Sequence, residues 1–241
     1  MPGRKEDPFY SFNIGPLHVI SISTEVYYFL QYGIKSMVLQ YDWLEADLAE
    51  AYLPENRAKH PWIVVIGHRP MYCSNANEDD CTHFGTMTRI GLPFLHFFAL
   101  EKLFYNYGVD LEIWAHEHSY ERLWPIYDYA VYNGSYEAPY TNPDAPVQFV
   151  TGSAGCKEGR EDFNATRPEW SAFISRDYGY TRLKALNASH LYIEQVSDDK
   201  QGAVIDSFWI IKDAHGPYSQ SKVDWSKLDE VRLKHLSGSS L

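Results

Sequence analysis

Two histidines, His116 and His118, stand two residues apart in the stretch AHEHSYER (Ala115 to Arg122), directly after the apolar run Leu111 to Trp114. On an extended chain, residues i and i+2 share a face, so both imidazoles would point one way; on a helix they would diverge by about 200°. Extended geometry therefore permits a chelating pair. Divalent transition metals bind neutral imidazole nitrogen at about 2.0–2.1 Å, but two histidines alone seldom make a tight site. His68 offers a third ligand, because it too follows an apolar run, in Val65-Ile66-Gly67-His68, where the glycine admits close backbone approach. If the two runs are neighbouring strands of one sheet pointing the same way, all three imidazoles emerge along one edge. The competing reading is that these are hydrogen-bonded histidines closing two strands. Glu117, between the pair, is expected to point away from both rings.

Positioning such groups requires buried strands that end together. PWIVVIGHRP, DLEIWAHEH and PVQFVTGSAG each read as a short continuous apolar run opening into polar residues, the mark of a central strand buried on both faces. WLEADLAEAYL carries an apolar stripe at helical spacing, and LEKLFYNYGV repeats one with Gly108 as its C-terminal stop. Strand, helix, strand with polar residues at the strand ends is the α/β layout in which ligands collect outside the carboxyl edge of the sheet. FYSFNIGPLHVISISTE reads as two strands around the Gly15-Pro16 turn. Beyond Tyr178, alternation through three strands, with turns at Asn187-Ala-Ser and Asp199-Lys-Gln-Gly, predicts an antiparallel meander.

The 241 residues suffice for one large domain, and 45% hydrophobic with 22% charged residues is a globular composition. A net charge of -11 disfavours a nucleic-acid surface, although a bound cation can reverse the field inside one cleft. No apolar run has the roughly 18 residues of a spanning helix, and the opening MPGRKEDPFYSF has no signal-peptide core. Three sequons, at Asn133, Asn164 and Asn187, nevertheless suggest a glycosylated protein whose front end is missing. Cys73 and Cys81 lie close enough to pair within one loop. Cys156 is left over, either as a free buried thiol or as the partner of a cysteine upstream.

Several blocks together carry a resemblance. VVIGHRPMYCSN and AHEHSYERLWPIY resemble the Val-x-x-His and Gly-His-x-His-x-Tyr-Glu-Arg blocks of the purple acid phosphatases, within the calcineurin-like metallophosphoesterase superfamily. FVTGSAGC and GAVIDSFWI resemble the end of that catalytic domain, and the similarity covers about residues 9 to 213. The resemblance implies an α/β calcineurin-like metallophosphatase sandwich, two mixed β-sheets flanked by helices, here lacking its N-terminal strands. Residues 9–213 would be the C-terminal portion of the catalytic domain and 214–241 a polar, disordered tail.

It further implies hydrolysis of a small phosphate monoester at a dinuclear centre of iron(III) and a divalent metal (iron, zinc or manganese), in a secreted or lysosomal protein with no nucleic-acid or membrane partner. His68 and His116 resemble ligands of the divalent ion, and His118 an iron ligand. Tyr120, Glu121 and Arg122 are then expected to orient the ligands they follow, Arg122 either by pairing with Glu121 or by standing near phosphate. Tyr72, Trp114 and Trp124 are expected to pack. The departures are as informative. Ala115 replaces the first glycine of its block; Asn77 and Glu78 stand where plant members have substrate-contacting histidines, leaving His83 as a substitute. No Gly-Asp and no Gly-Asn-His occurs anywhere, so the blocks supplying two aspartates, a tyrosine and an asparagine are not in this sequence. The chain is thus expected to be a fragment or truncated form, marginally stable and inactive by itself. Rival readings are a non-catalytic binding protein and a mononuclear zinc hydrolase on the three histidines.

Overall fold

The computed structural model describes residues 8–219. In chain order the elements are β1 (Tyr10–Ile14), β2 (Leu17–Ser21), α1 (Lys35–Tyr52), α2 (Pro54–Arg57), β3 (Trp62–Ile66), α3 (Met87–Ile90), α4 (Leu100–Tyr107), β4 (Leu111–Trp114), β5 (Tyr120–Leu123), β6 (Ile126–Tyr127), β7 (Ala130–Val131), β8 (Val147–Thr151), β9 (Ser171–Ser175), β10 (Gly179–Ala185), β11 (His190–Ser197) and β12 (Ala203–Ile211). Seven strands form one sheet in the order β1-β2-β3-β4-β8-β5-β9. Its centre, β2 to β3 to β4 to β8, is parallel, while β1, β5 and β9 run antiparallel to their neighbours.

Parallel strands are covered on both faces, which explains the unbroken apolar runs. On one face Ile20, Ile63 and Val65 pack with Met37, Leu44 and Leu48 of α1 and Leu103 and Phe104 of α4. On the other, Val19, Trp62, Val64, Leu111, Val147 and Phe149 meet Leu191, Ile193, Phe208 and Ile210. Those last four belong to the meander β10-β11-β12, which is antiparallel throughout and closes the sandwich. The larger sheet alone is mixed. α4 ends as its glycine requires: Gly108 lies in the left-handed region at φ 65°, and a Cβ there would fall 2.1 Å from the Gly216 carbonyl oxygen.

The expected disordered tail is corrected at its start. Lys212 and His215 converge on the buried Asp110, and the Tyr218 hydroxyl donates to the Val109 carbonyl at 2.6 Å. A buried carboxylate and an aromatic pocket thus hold the chain through Ser219. The remaining tail, with KHLSGSSL, lies outside the described residues. No helix among the described residues is long and apolar enough to cross a membrane.

Candidate metal centre

The site forms where β3 and β4 end side by side. The ladder continues past both strands, Gly67 N–H donating to the Ile113 carbonyl and Ala115 N–H to the His68 carbonyl, at 3.0 and 2.9 Å. Gly67 is required by packing: a Cβ would lie 2.3 Å from the Trp114 indole. The register delivers His68 and His116 to one edge, with His116 Nδ1 3.1 Å from His68 Nε2. Two nitrogens bound to one ion at about 2.0–2.1 Å stand about 2.9–3.4 Å apart as the angle opens from a right angle to a tetrahedron. The observed separation is such a chord. Burial, then the neighbouring His116, lowers the His68 pKa and favours the neutral ligand form.

The expected extended geometry from His116 to His118 is not what the chain adopts. His116 has φ 67°, uncommon for a residue with a side chain, and two successive tight turns follow, Glu117 N–H to Ala115 O and Ser119 N–H to Glu117 O, both at 2.8 Å. The left-handed residue is His116 itself; Ala115, in place of the family glycine, needs no positive φ. His118 remains close enough to His68 to act on it electrostatically, and it also has neighbours of its own. Its backbone N–H donates to Glu161 at 2.8 Å, and it groups with Cys156 and Glu158, ligand atoms all within 4.8 Å. Cys156 is free and half-exposed, rather than a buried thiol.

Glu117 does not clear the rings as expected: one of its carboxylate oxygens lies within 4.8 Å of a His116 ring nitrogen and of an Asp79 carboxylate oxygen, beside the loop below. It is fully buried, accepts from Asn77 Nδ2 at 2.9 Å, and has its carboxyl pushed up to about 9 by burial and the adjacent Glu161. That loop is closed by the Cys73–Cys81 disulfide, as the spacing allowed. It carries Asp79, which the sequence reading passed over because one acid in NEDD is indistinguishable from its neighbours. Asp79 Oδ2 lies 2.6 Å from His116 Nε2. Burial acts to raise the Asp79 pKa, but the Asp80 N–H and His116 outweigh it and hold the carboxyl below its usual range. Arg69, 3.1 Å from the same nitrogen, pairs with Glu25 at 2.9 Å and Asp80 at 3.4 Å. His83 is exposed, with Nε2 3.1 Å from the Glu78 carbonyl oxygen, and does not join the pair.

The expected Arg122–Glu121 pair does not form, because alternation along β5 puts the two on opposite faces. Glu121 is buried toward the disulfide loop, accepting from Ser74 N–H at 2.8 Å, Ser74 Oγ at 2.5 Å and Ser171 Oγ at 2.6 Å. Arg122 faces the second sheet, where its Nε donates to Asp206 at 2.7 Å and NH1 to Tyr140 at 2.6 Å; Tyr120 donates to the same aspartate at 2.9 Å. So Glu121 braces the site loop, while Tyr120 and Arg122 tie the sheets together. Tyr72 and Trp114 are buried, and Trp124 stacks on Tyr140, all as packing residues. The sequon residues Asn133, Asn164 and Asn187 are exposed.

Comparison with known proteins decides the family. The family described as calcineurin-like phosphoesterase matches residues 4–120, and that described as iron/zinc purple acid phosphatase-like protein C matches residues 145–207. The chain belongs to the purple acid phosphatases. It is 60% identical over 225 residues to acid phosphatase type 7 of Danio rerio, covering 90% of this chain and 50% of that protein. To acid phosphatase type 7 of Homo sapiens it is 54% identical over 216 residues, covering 90% and 49%. A purple acid phosphatase from yellow lupin seeds superposes with a TM-score of 0.68 at 26% identity, over 87% of this chain and 34% of that one. The chain thus spans about half the length of the curated relatives it matches.

Purple acid phosphatase chemistry implies two cations, and the donors present fit them unequally. His68 and His116 fit a divalent ion in spacing, and the lowered pKa of His68 favours its neutral, ligating form. Around His118 the neighbours are a thiol and the carboxylates of Glu158 and Glu161, not the aspartates, tyrosine and asparagine of the family pattern. Iron(III) is a hard cation that wants anionic oxygen; the two glutamates offer that, but the thiol is a soft donor and the phenolate of the family pattern has no counterpart beside His118 among the described residues.

Proposed function

We propose that this chain carries the imidazole half of an acid phosphatase centre that hydrolyses small phosphate monoesters, with a divalent ion, zinc in the iron/zinc members, held by His68 and His116. The observation supporting this most directly is the 3.1 Å approach of two imidazole nitrogens at the carboxyl edge of a parallel sheet. A divalent ion there would acidify a bound water and polarise a phosphate oxygen. The chain's own groups do the rest. His68, whose neutral form is favoured by burial, presents a lone pair; the Arg69 guanidinium, beside His116, sets a positive charge where phosphate oxygens would arrive. The family's Gly-Asp and Gly-Asn-His blocks, which supply the aspartates, tyrosine and asparagine of the centre, do not occur in this sequence, so turnover by this polypeptide alone is expected to be slow. The exposed sequons support a glycosylated, secreted or lysosomal protein.

The test is metal content together with hydrolysis of an aryl phosphate from acid to neutral pH, for wild type and His116→Ala. One equivalent of zinc, and whatever turnover there is, should be lost in the variant. Turnover unchanged by His116→Ala would sink the reading. A wild type that holds zinc and hydrolyses nothing would favour a binding role, which the absence of Gly-Asp motifs supports.

A further inference from the structure

His116 meets partners on opposite sides of its ring. Nδ1 faces His68, and Nε2 faces the Asp79 carboxylate at 2.6 Å, with the Arg69 guanidinium farther off at 3.1 Å. A carboxylate oxygen accepts, and this contact is shorter than the 3.1 Å approach of Arg69, so the geometry places the proton on Nε2 and leaves the Nδ1 lone pair toward His68. Metal-bound histidines commonly donate their other nitrogen in this way, which fixes the tautomer and the ring's orientation.

Nothing in a flexible loop would hold a carboxylate in that position. Asp79 is fixed on several sides: its Oδ1 accepts the Asp80 N–H at 2.6 Å and caps the 3-10 turn Asp80–Thr82, and the Cys73–Cys81 disulfide closes the loop around it. Below, Asn77 is tied to buried Glu117 and Ser74 to buried Glu121. Those two acids come from the same stretch as His116, so one short segment carries a ligand and the anchors of the loop that orients it. Left-handed backbone at His116 is the strained element that this bracing holds in place.

We infer that Asp79 is the positioning residue for His116, and that the Cys73–Cys81 cross-link presents it, so that cation affinity at the imidazole pair depends on a disulfide that touches no metal. The inference rests on the cation reading given above. It assigns Asp79 no contact with substrate.

The full chain is titrated with zinc against a chromophoric chelator, using wild type, Asp79→Ala, Asp79→Asn, Cys73→Ser with Cys81→Ser, and His68→Ala, each checked for folding by circular dichroism and melting. Asp79→Ala should weaken zinc binding about 10–100-fold. Asp79→Asn, which keeps an acceptor oxygen, should recover part of that loss, and the double serine variant should fall between wild type and Asp79→Ala. A readout independent of any variant is the ¹⁵N spectrum of His116 in zinc-loaded wild type: metal on Nδ1 and a proton on Nε2 are expected. Folded Asp79→Ala with wild-type affinity, or metal on Nε2, overturns the inference while leaving the imidazole pair intact. Zinc binding in wild type that His68→Ala does not diminish overturns both readings.

Discussion

At the scale of single residues, buried acids decide how this protein answers to pH. Glu112 lies inside β4 with one carboxyl oxygen lacking a partner among the described residues, and burial, then the nearby Glu101, pushes its pKa well above the carboxylate range. The folded state keeps that proton while the unfolded chain releases it. Its contribution to stability is therefore complete below the unfolded value and is lost as pH rises toward the folded one. Glutamine mimics the protonated form, so Glu112→Gln should flatten the decline, and at about pH 8 exceed wild type by on the order of 1–3 kcal/mol. Urea unfolding at about pH 5 and about pH 8 checks this; parallel changes in the two proteins would show that Glu112 does not carry the slope.

Between elements, the sandwich is tied by polar contacts as well as apolar ones. Asp206 of β12 receives Arg122 through two nitrogens, at 2.7 and 3.0 Å, and Tyr120 at 2.9 Å, all from β5. Removing one partner of a buried ion pair strands the other, which costs about 3–5 kcal/mol. Asp206→Ala should destabilise by about that amount, with loss of sheet-to-sheet packing visible in near-ultraviolet circular dichroism. Because the imidazole pair is built on β3 and β4, zinc affinity of the folded variant should hold. A fall in affinity equal to that of Asp79→Ala would mean that β5 positions the site directly.

For the molecule as a whole, the sheet edge opposite the histidines is organised by Asp110. It accepts from Lys212 at 2.7 Å and Ile63 N–H at 2.9 Å, and pairs with Arg57 and His215 at 3.2 Å each. Burial would raise its pKa, but Lys212 and Arg57 outweigh it and hold the carboxyl well below the usual range. With a depressed folded value, its stabilisation is present above the unfolded pKa and is lost as pH falls through that region. Asp110→Asn leaves two buried cations and should cost about 3–5 kcal/mol near neutral pH. In strong acid the difference from wild type should shrink, and a constant difference across an acid titration would refute the assignment. This cluster gathers residues from α2, β3, the start of β4 and the chain after β12, so it acts on the fold rather than on one element.

Much of this was legible in the residues themselves. Unbroken apolar runs announced β3, β4 and β8, alternation announced the meander, and Gly108 announced the end of α4, because local patterning reports directly on whether one face or both are buried. The strand-end positions of His68 and His116 followed from the same runs, as did the pairing of Cys73 with Cys81 from their closeness in one loop. What the tertiary structure alone decided was how those ends were dressed. The left-handed turn at His116 replaced the extended path to His118, Arg122 crossed to Asp206 instead of meeting Glu121, and Asp79 emerged from a run of acids as the one at hydrogen-bond distance from an imidazole. Each of these depends on partners far along the chain, brought together by the stacking of two sheets and the closure of a loop; spacing in one segment carries no trace of that geometry.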